Sequence, residues 1–149
     1  MILALSLIGA FIFMEFMAWF THKYIMHGFL WNLHEDHHQP TGNTFQKNDL
    51  FFLIFAIPSW LNIMFGFIYQ NDVMIGIGFG IAVYGFVYFL VHDVLIHRRK
   101  KWFDNINNRY FRAVRKAHKV HHKNMYKEDG ACFGMLLFPW KHYRDAVKS

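Results

Sequence analysis

Three long runs of apolar residues set the pattern of this chain: residues 1–20, 50–69 and 73–91. Glu15 is the only charged residue in the first run, and the other two runs contain none. A helix needs about 20 mostly apolar residues to cross a bilayer, and core helices of soluble proteins rarely run that long without a charge. The sequence therefore predicts an all-α, integral membrane protein with about three transmembrane helices in a single domain, residues 1–149.

The distribution of charge predicts how these spans are oriented. Only residues 70–72 separate the second and third runs, so the two form an antiparallel hairpin that brings Leu50 and His92 to the same side of the membrane. All sixteen Lys and Arg residues lie in segments 23–47 and 98–148. Because basic segments stay in the cytoplasm, the N-terminus is predicted outside and both segments inside. This topology accounts for the net charge of +6 without nucleic-acid binding.

The segments between the spans are predicted to form short helices. Gly28 stands where a helix C-cap is expected, and Asn32 with Glu35 resembles a capping box that opens a short helix ending before Pro40. A longer helix is predicted from about residue 104 or 105 to about 123, with its histidine-bearing face turned inward. The apolar segment 133–140 is too short to span, and we expect it to dip into the interface or cover a site.

Ten of the eleven histidines form two copies of one pattern, H-x4-H followed by H-x-x-H-H. The candidate metal ligands are His22, His27, His34, His37 and His38 in the first copy, and His92, His97, His118, His121 and His122 in the second. This repeat predicts one pair of boxes on each side of a shared site. The predicted topology gathers all ten on the cytoplasmic face, in a histidine-rich helical cap.

Helical geometry has different consequences for the two boxes. Residues i, i+3 and i+4 of H-x-x-H-H share a helix face, so two or three imidazoles can converge on one metal. Residues i and i+5 of H-x4-H lie about 140° apart on a straight α-helix. That pair converges only if the helix unwinds there; otherwise each member serves a different metal. Both H-x4-H boxes lie where a predicted span leaves the membrane.

The ligand types narrow the choice of metal. Cys132 is the single cysteine, which excludes iron–sulfur clusters and cysteine-based zinc sites. Imidazole suits iron, zinc, copper and nickel. Ten candidate ligands exceed the needs of one ion, so two metal ions are predicted. A structural zinc site is chemically possible but needs far fewer histidines.

Two acidic residues are candidates for orienting these ligands. Glu15 lies seven residues before His22 on the same helix face, where it can accept a hydrogen bond from a ligand imidazole or from another helix. Asp93 adjoins His92 and either orients a neighbouring ligand or is a solvated interfacial acid. His142 lies outside the boxes and is left out of the ligand set.

Four stretches together resemble the bacterial β-carotene 3-hydroxylases of the sterol desaturase/fatty acid hydroxylase superfamily: HKYIMHGFLWNLHEDHH, FLVHDVLIHRR, RKAHKVHH and KEDGACFGM. The resemblance extends from Glu15 to about Trp140 and includes residues between the boxes. It implies a non-haem di-iron monooxygenase whose ten box histidines hold two iron ions, with zinc as the alternative in a purified sample.

The same resemblance implies a reaction and a location. Such an enzyme uses O2 and reduced ferredoxin to hydroxylate carbon 3 of the β-ionone rings, converting β-carotene through β-cryptoxanthin to zeaxanthin. It takes the carotenoid from the lipid of the bacterial inner membrane. The superfamily has four spans where three are predicted here, which leaves segment 133–140 either re-entrant or part of a fourth.

Two other functions stay open. An enzyme of the same superfamily that acts on a fatty-acyl chain or a sterol would carry the same boxes. A non-enzymatic metal-binding membrane protein is the second alternative, although a transporter needs polar residues along a path through the bilayer and these spans are almost bare of them. The basic segments suit an acidic ferredoxin, but the positive-inside rule alone explains their charge.

Overall fold

The computed structural model describes residues 1–39, 42–43, 45–103, 105–106, 108–128 and 130–148, with side chains up to residue 145. Within those ranges every regular element is helical, which confirms the all-α prediction. The α-helices are α1 (Ile2–Phe20), α2 (Trp31–His38), α3 (Phe51–Ile68), α4 (Asp72–Tyr88), α5 (Arg109–His121) and α6 (Trp140–Lys148). Wider π-helical turns continue α1 over Thr21–Phe29 and α4 over Phe89–Ile96, and 3-10 turns cover Lys47–Leu50 and Lys101–Phe103.

Three helices of the described chain are long and apolar enough to cross a membrane: Ile2–Phe29, Lys47–Ile68 and Asp72–Ile96. They coincide with the three predicted spans. The first and third extend beyond the predicted bounds because the π turns add a further stretch to each helix. This architecture is that of a membrane protein.

Helix α4 is the centre of the membrane part, with α1 packed on one side and α3 on the other. Glycines permit this close approach, since a Cβ atom at Gly76 would lie 2.5 Å from the carbonyl oxygen of Leu3 and one at Gly78 would lie 2.8 Å from that of Ser59. Small residues play this part in helix packing within bilayers. Over the described residues, no Cα atom of α1 lies within 8 Å of one in α3, so the two helices leave a space between them on one side of α4.

The hairpin between α3 and α4 brings their outer ends together as predicted. The side chain of Asn71 caps α4 by accepting two backbone N–H bonds, at 3.0 and 3.1 Å. At the opposite end of the hairpin, the Arg99 guanidinium lies 2.9 Å from the carboxylate of Asp49. Arg99 also lies 3.3 Å from the carboxylate of Asp93, so Leu50 beside Asp49 and His92 beside Asp93 lie at the same end of the bundle.

Of two local predictions about the first box pair, one is wrong and the other agrees with the structure. Helix α2 begins at Trp31 without a side-chain cap, so Asn32 lies inside its first turn and the proposed capping box with Glu35 is absent. Gly28 interrupts the helix after His27 as expected, because its φ of −104° and ψ of −124° are non-helical and form a kink between two helical stretches. The proposed stop at Pro40 lies outside the described residues.

Helix α5 is shorter than predicted at its N-terminus. It begins at Arg109, where the side chain of Asn108 accepts a hydrogen bond from the third residue of the helix at 2.9 Å. Residue 104, one of the two predicted starts, lies outside the described residues. The inward face is as predicted, and its buried residues are Ala113, Val114, Ala117, His118 and His121.

Candidate metal centre

The ten box histidines meet at one end of the spans and form two groups. The first histidine group contains His22, His27, His34, His38 and His121, and the second contains His37, His97, His118 and His122. Within each group the candidate ligand nitrogens lie within 4.8 Å of one another. His92 adjoins the second group, with its Nε2 atom 3.1 Å from Nε2 of His37.

The π turns bring the two H-x4-H boxes to convergence. Their backbone hydrogen bonds reach from residue i+5 to residue i, as from the Leu30 N–H to the Ile25 carbonyl oxygen at 3.0 Å. Such turns are underwound, so residues five apart come nearer to one helix face than the 140° of an α-helix. The ring centroids of His22 and His27 lie 5.4 Å apart, and those of His92 and His97 lie 4.5 Å apart. Local unwinding is therefore the outcome in both boxes; His22 and His27 share one group, whereas His97 belongs to the second group and His92 adjoins it.

The two H-x-x-H-H boxes exchange their middle histidines. Helix α2 contributes His34 and His38 to the first histidine group but His37 to the second. Helix α5 contributes His121 to the first group. Residues i and i+4 are about 40° apart around a helix, whereas i+3 lies about 100° from i+4. The middle histidine consequently faces the neighbouring group. The predicted arrangement of one box pair per side is correct for four histidines of the first copy and three of the second, and wrong for His37 and His121, while His92 adjoins the second group.

Each histidine of the first group is held through its Nδ1 atom. The Nδ1 atoms of His22, His27, His38 and His121 lie 2.8–3.1 Å from the backbone carbonyl oxygens of Phe133, Lys127, Asn124 and Ala131, and that of His34 lies 2.6 Å from the side-chain oxygen of Asn48. Carbonyl oxygens only accept, so each Nδ1 carries the proton. The five Nε2 atoms are then unprotonated and point towards one another.

Such a cluster of lone pairs fits a cation. Nε2 of His22 is 3.2 Å from Nε2 of His34, and Nε2 of His27 is 3.2 Å from Nε2 of His38. Two unprotonated nitrogens cannot hydrogen-bond, so these contacts repel unless a positive ion lies between them. Two ligands about 2.1 Å from one ion at right angles would be about 3.0 Å apart, close to these separations. Nε2 of His121 is buried without a hydrogen-bond partner, as a ligand nitrogen would be.

Burial keeps these imidazoles neutral at physiological pH. It lowers the pKa of His34 to about 2, with a further contribution from the neighbouring His37. It lowers the pKa of His121 to about 3 and that of His38 to about 4, although the bond from His38 to a carbonyl oxygen partly opposes the effect. A metal ligand must be the neutral form of histidine.

The second histidine group is equally compact. Nε2 of His118 lies 2.9 Å from Nε2 of both His97 and His122, so three nitrogens approach one point. Burial and the adjacent His122 lower the pKa of His97 to about 3. Nδ1 of His37 donates to the side-chain oxygen of Gln46 at 3.0 Å. This group therefore also fits a metal ion.

Asp93 lies beside the second histidine group but makes no hydrogen bond to the adjacent His92. Its carboxylate is 3.6 Å from Nδ1 of His92, which is too long for a hydrogen bond, and 3.3 Å from the guanidinium of Arg99. Arg99 also donates to Gln46 at 2.6 Å, so the acid belongs to an ion-pair network that ends on His37. Neither predicted alternative is therefore complete, because Asp93 is partly buried and acts through Arg99.

Glu15 is 9% exposed and serves a different purpose from direct ligand support. Its Oε1 atom accepts the backbone N–H groups of Met135, Leu136 and Leu137 at 2.8–3.1 Å, and its Oε2 atom accepts the hydroxyl of Tyr84 at 2.7 Å. The alternative in which Glu15 bonds to another part of the chain is correct. It anchors the segment that also supplies carbonyl oxygens to the first histidine group.

That segment, residues 131–139, is irregular and covers the first histidine group. The Phe133 ring packs on His22, His27 and His121, with centroid distances of 5.1–5.5 Å. Covering the site, rather than spanning the membrane, is therefore its observed role. His142 lies outside both groups, with its Nε2 atom 3.3 Å from the sulfur of Cys132.

A long apolar groove leads from the membrane to the histidines. It occupies about 790 Å³ between α1 and α3, with α4 as its floor. His22 of the first histidine group and His92, which adjoins the second, border its inner end. Residues from all three helices line the middle of the groove, among them Met14, Ala18, Phe55, Ile63, Ile81 and Gly85.

A second, smaller recess of about 490 Å³ opens on the other side of the centre. It is bordered by His97, His118 and His122 of the second group and by the basic residues Arg115 and Lys119. The first histidine group contributes nothing to its lining as described. One face of the centre thus adjoins an apolar groove and another adjoins a basic recess.

Several residues that position the ligands had no sequence signal. Gln46 and Asn48 precede an apolar run and are indistinguishable from ordinary loop residues. The supporting carbonyl oxygens of residues 124, 127, 131 and 133 belong to the backbone, which every residue possesses. Only the spacing of the ligands was visible.

A membrane-embedded pair of histidine groups at the end of an apolar groove defines a class of metal-dependent membrane protein. Residues 7–144 match the family model described as fatty acid hydroxylase, and the chain belongs to this family. None of the solved structures gives a significant match.

The relatives carry a consistent description. The chain is 39% identical over 134 residues to "Beta-carotene hydroxylase 1, chloroplastic" of Capsicum annuum, covering 88% of this chain and 42% of that protein. It is 39% identical to "Beta-carotene hydroxylase" of Pantoea ananas, covering 85% and 71%, and 39% identical to the protein of that description in Pseudescherichia vulneris, covering 89% and 75%. The chain spans about two fifths of the length of the plant relatives.

Proposed function

We propose that this chain is a β-carotene 3-hydroxylase, which converts β-carotene through β-cryptoxanthin to zeaxanthin. The observation that carries the proposal is the position of two histidine groups at the inner end of an apolar groove within the spans. The bacterial relatives described as β-carotene hydroxylases support the choice of substrate. A carotenoid dissolves in lipid, so it would enter the groove sideways from the bilayer.

The ten box histidines would hold two iron ions, His22, His27, His34, His38 and His121 around one and the remaining five around the other. When bound, the metal pair supplies the oxidising power that an unactivated C–H bond requires. The balanced reaction at each ring is R–H + O2 + 2 e⁻ + 2 H⁺ → R–OH + H2O. Zinc is the alternative occupant of the same histidines in a purified sample.

The protein's own residues would orient and isolate the reacting ring. Carbonyl oxygens and the side chains of Gln46 and Asn48 fix the histidine tautomers, which keeps every supported Nε2 available as a ligand. Segment 131–139, anchored by Glu15, covers the first histidine group and limits access of water. The groove side chains hold the ring near His22 and His92.

Electrons would arrive from the opposite side. The recess beside the second histidine group carries Arg115 and Lys119, which suits an acidic ferredoxin. We further propose that this face is cytoplasmic and that the protein lies in a bacterial inner membrane with its N-terminus outside, following the distribution of Lys and Arg.

Product analysis in a β-carotene-producing bacterial host tests the function. Chromatography should reveal β-cryptoxanthin and zeaxanthin in cells that express the chain, and neither product with His118→Ala expressed at the same level. Wild-type cells with confirmed expression and no hydroxylated carotenoid would overturn the proposal. Hydroxylated fatty acids or sterols in those cells would instead support the alternative substrates within the family.

A further inference from the structure

Gly85 of α4 forms part of the groove wall. Gly85 lies seven residues before His92, about 10 Å nearer the membrane centre at 1.5 Å per helical residue. It lines the groove together with Ile81 on the preceding turn and Tyr88 on the next. Gly85 therefore lies on the groove wall between the middle of the spans and the histidine end.

Gly85 differs from the other glycines of α4 in its surroundings. At Gly76, Gly78 and Gly80 an added Cβ atom would lie 2.5–2.6 Å from the nearest atom of α1 or α3, so helix packing requires the missing side chain. At Gly85 an added Cβ would meet nothing within 4 Å. Packing therefore does not require glycine there, although glycine in a helix interior is less favourable than alanine. The open space belongs to the groove.

The chemistry of the groove limits what can fill it. Ser59 donates its hydroxyl to the Gly78 carbonyl oxygen at 2.8 Å, and Tyr84 donates its hydroxyl to Glu15 at 2.7 Å. These hydroxyls are thus already paired with protein acceptors. Tyr88 adds a further hydroxyl to the lining one turn away, and the rest of the wall near Gly85 is largely apolar, with Phe55 and Ile63 among its residues. A hydrocarbon suits such a surface, because an inserted polar group would lose its hydrogen bonds to water.

We infer that Gly85 is a specificity-determining residue, which leaves room for the bulky cyclic end of an apolar substrate as it passes to the histidines. This inference rests on the proposed function. Larger side chains at position 85 should narrow the groove without disturbing the helix contacts or the histidines. The loss of conversion should increase with side-chain volume, because the surrounding helices are closely packed and the added atoms can only occupy the groove.

The test is the series Gly85→Ala, Gly85→Val and Gly85→Phe in the β-carotene-producing host. Conversion should fall least for alanine, more for valine, and about tenfold or more for phenylalanine. The matched controls are Gly9→Val and Gly9→Phe. Gly9 is also helical and meets nothing within 4 Å, but it is exposed on the outer side of α1. The controls should convert β-carotene like wild type.

Two further readouts separate the possible results. The metal content of purified Gly85→Phe should equal that of wild type, whereas loss of metal would show structural damage and overturn the inference. Carotenoid that co-purifies with the protein, measured by its visible absorption, should fall across the series. Undiminished co-purification or conversion in Gly85→Phe would overturn the inference. Absence of hydroxylated product from wild type, with co-purification that still falls across the series, would overturn the proposed function alone.

Discussion

The backbone N–H of His97 donates a hydrogen bond to the carbonyl oxygen of His92 at 2.9 Å. This bond joins the two histidines of one box directly and closes a π turn between them. The spacing of five residues and the π turn are therefore matched to each other. A spacing of four would suit an α-helix, in which the two residues lie about 40° apart, and the distance and angle between the two rings would then differ.

Shortening this box should remove one metal ion. Deletion of Val94 changes H-x4-H to H-x3-H, so the turn loses the bond from residue i+5 to residue i and the second histidine group loses its geometry. We expect purified protein to retain metal at the first group only, as measured by elemental analysis. Leu95→Met, which preserves spacing and approximate volume, is the control and should retain both ions. Full metal content after the deletion would contradict the match of spacing to turn.

The exchange of the middle histidines predicts which double variants are additive. His22 and His121 share a group despite belonging to different sequence copies, whereas His22 and His118 lie in different groups. His22→Ala with His121→Ala should therefore cost one ion, and His22→Ala with His118→Ala should cost both. Metal stoichiometry measures the difference. A repeat without exchange predicts loss of both ions from the His22/His121 pair as well, so the two arrangements differ in the result for that pair.

Removal of the Glu15 carboxylate should weaken the cover over the first histidine group. Glu15→Ala leaves three backbone N–H groups without acceptors, and each unsatisfied buried group costs about 1–3 kcal/mol. We expect a lower unfolding temperature in detergent and loss of metal from the first group. Glu15→Gln keeps an oxygen acceptor and should recover much of the loss. Tyr84→Phe removes a single hydrogen bond and should cost only about 1 kcal/mol. Equal behaviour of all three variants would be inconsistent with this anchoring.

Acid should destabilise the metal-free protein over a defined range. Burial lowers the pKa of His121 to about 3 and that of His38 to about 4, whereas the unfolded chain protonates its histidines near pH 6.5. Because the unfolded state binds more protons, this stability is fully present above pH 6.5 and is lost as the pH falls towards the folded-state values. Thermal unfolding between pH 8 and pH 4 measures the effect. A flat profile below pH 6.5 would show that these imidazoles are not buried in the neutral form.

Much of the architecture was accessible from the sequence because its causes are local. A run of about 20 apolar residues identifies a span wherever it occurs. The three-residue connection fixed the antiparallel hairpin, and the face of α5 that carries His118 and His121 followed from helical periodicity. The wrong predictions concern helix ends. Asn32 and Glu35 have the residue types of a capping box, but α2 begins one residue earlier, at Trp31, with Leu30 at the N-cap position.

The sequence by itself predicted the candidate ligand set, and it determined the spans that carry it and the relation of H-x-x-H-H to one helix face, since spacing along a helix translates directly into angle. Only the tertiary structure decided which histidines share a group. His37 and His121 cross between groups because α2 and α5 face each other across the centre, and that relation depends on contacts between distant segments. The same holds for Gln46, Asn48, the carbonyl oxygens of segment 131–133 and the groove beside Gly85, all of which acquire a role only when remote parts of the chain meet.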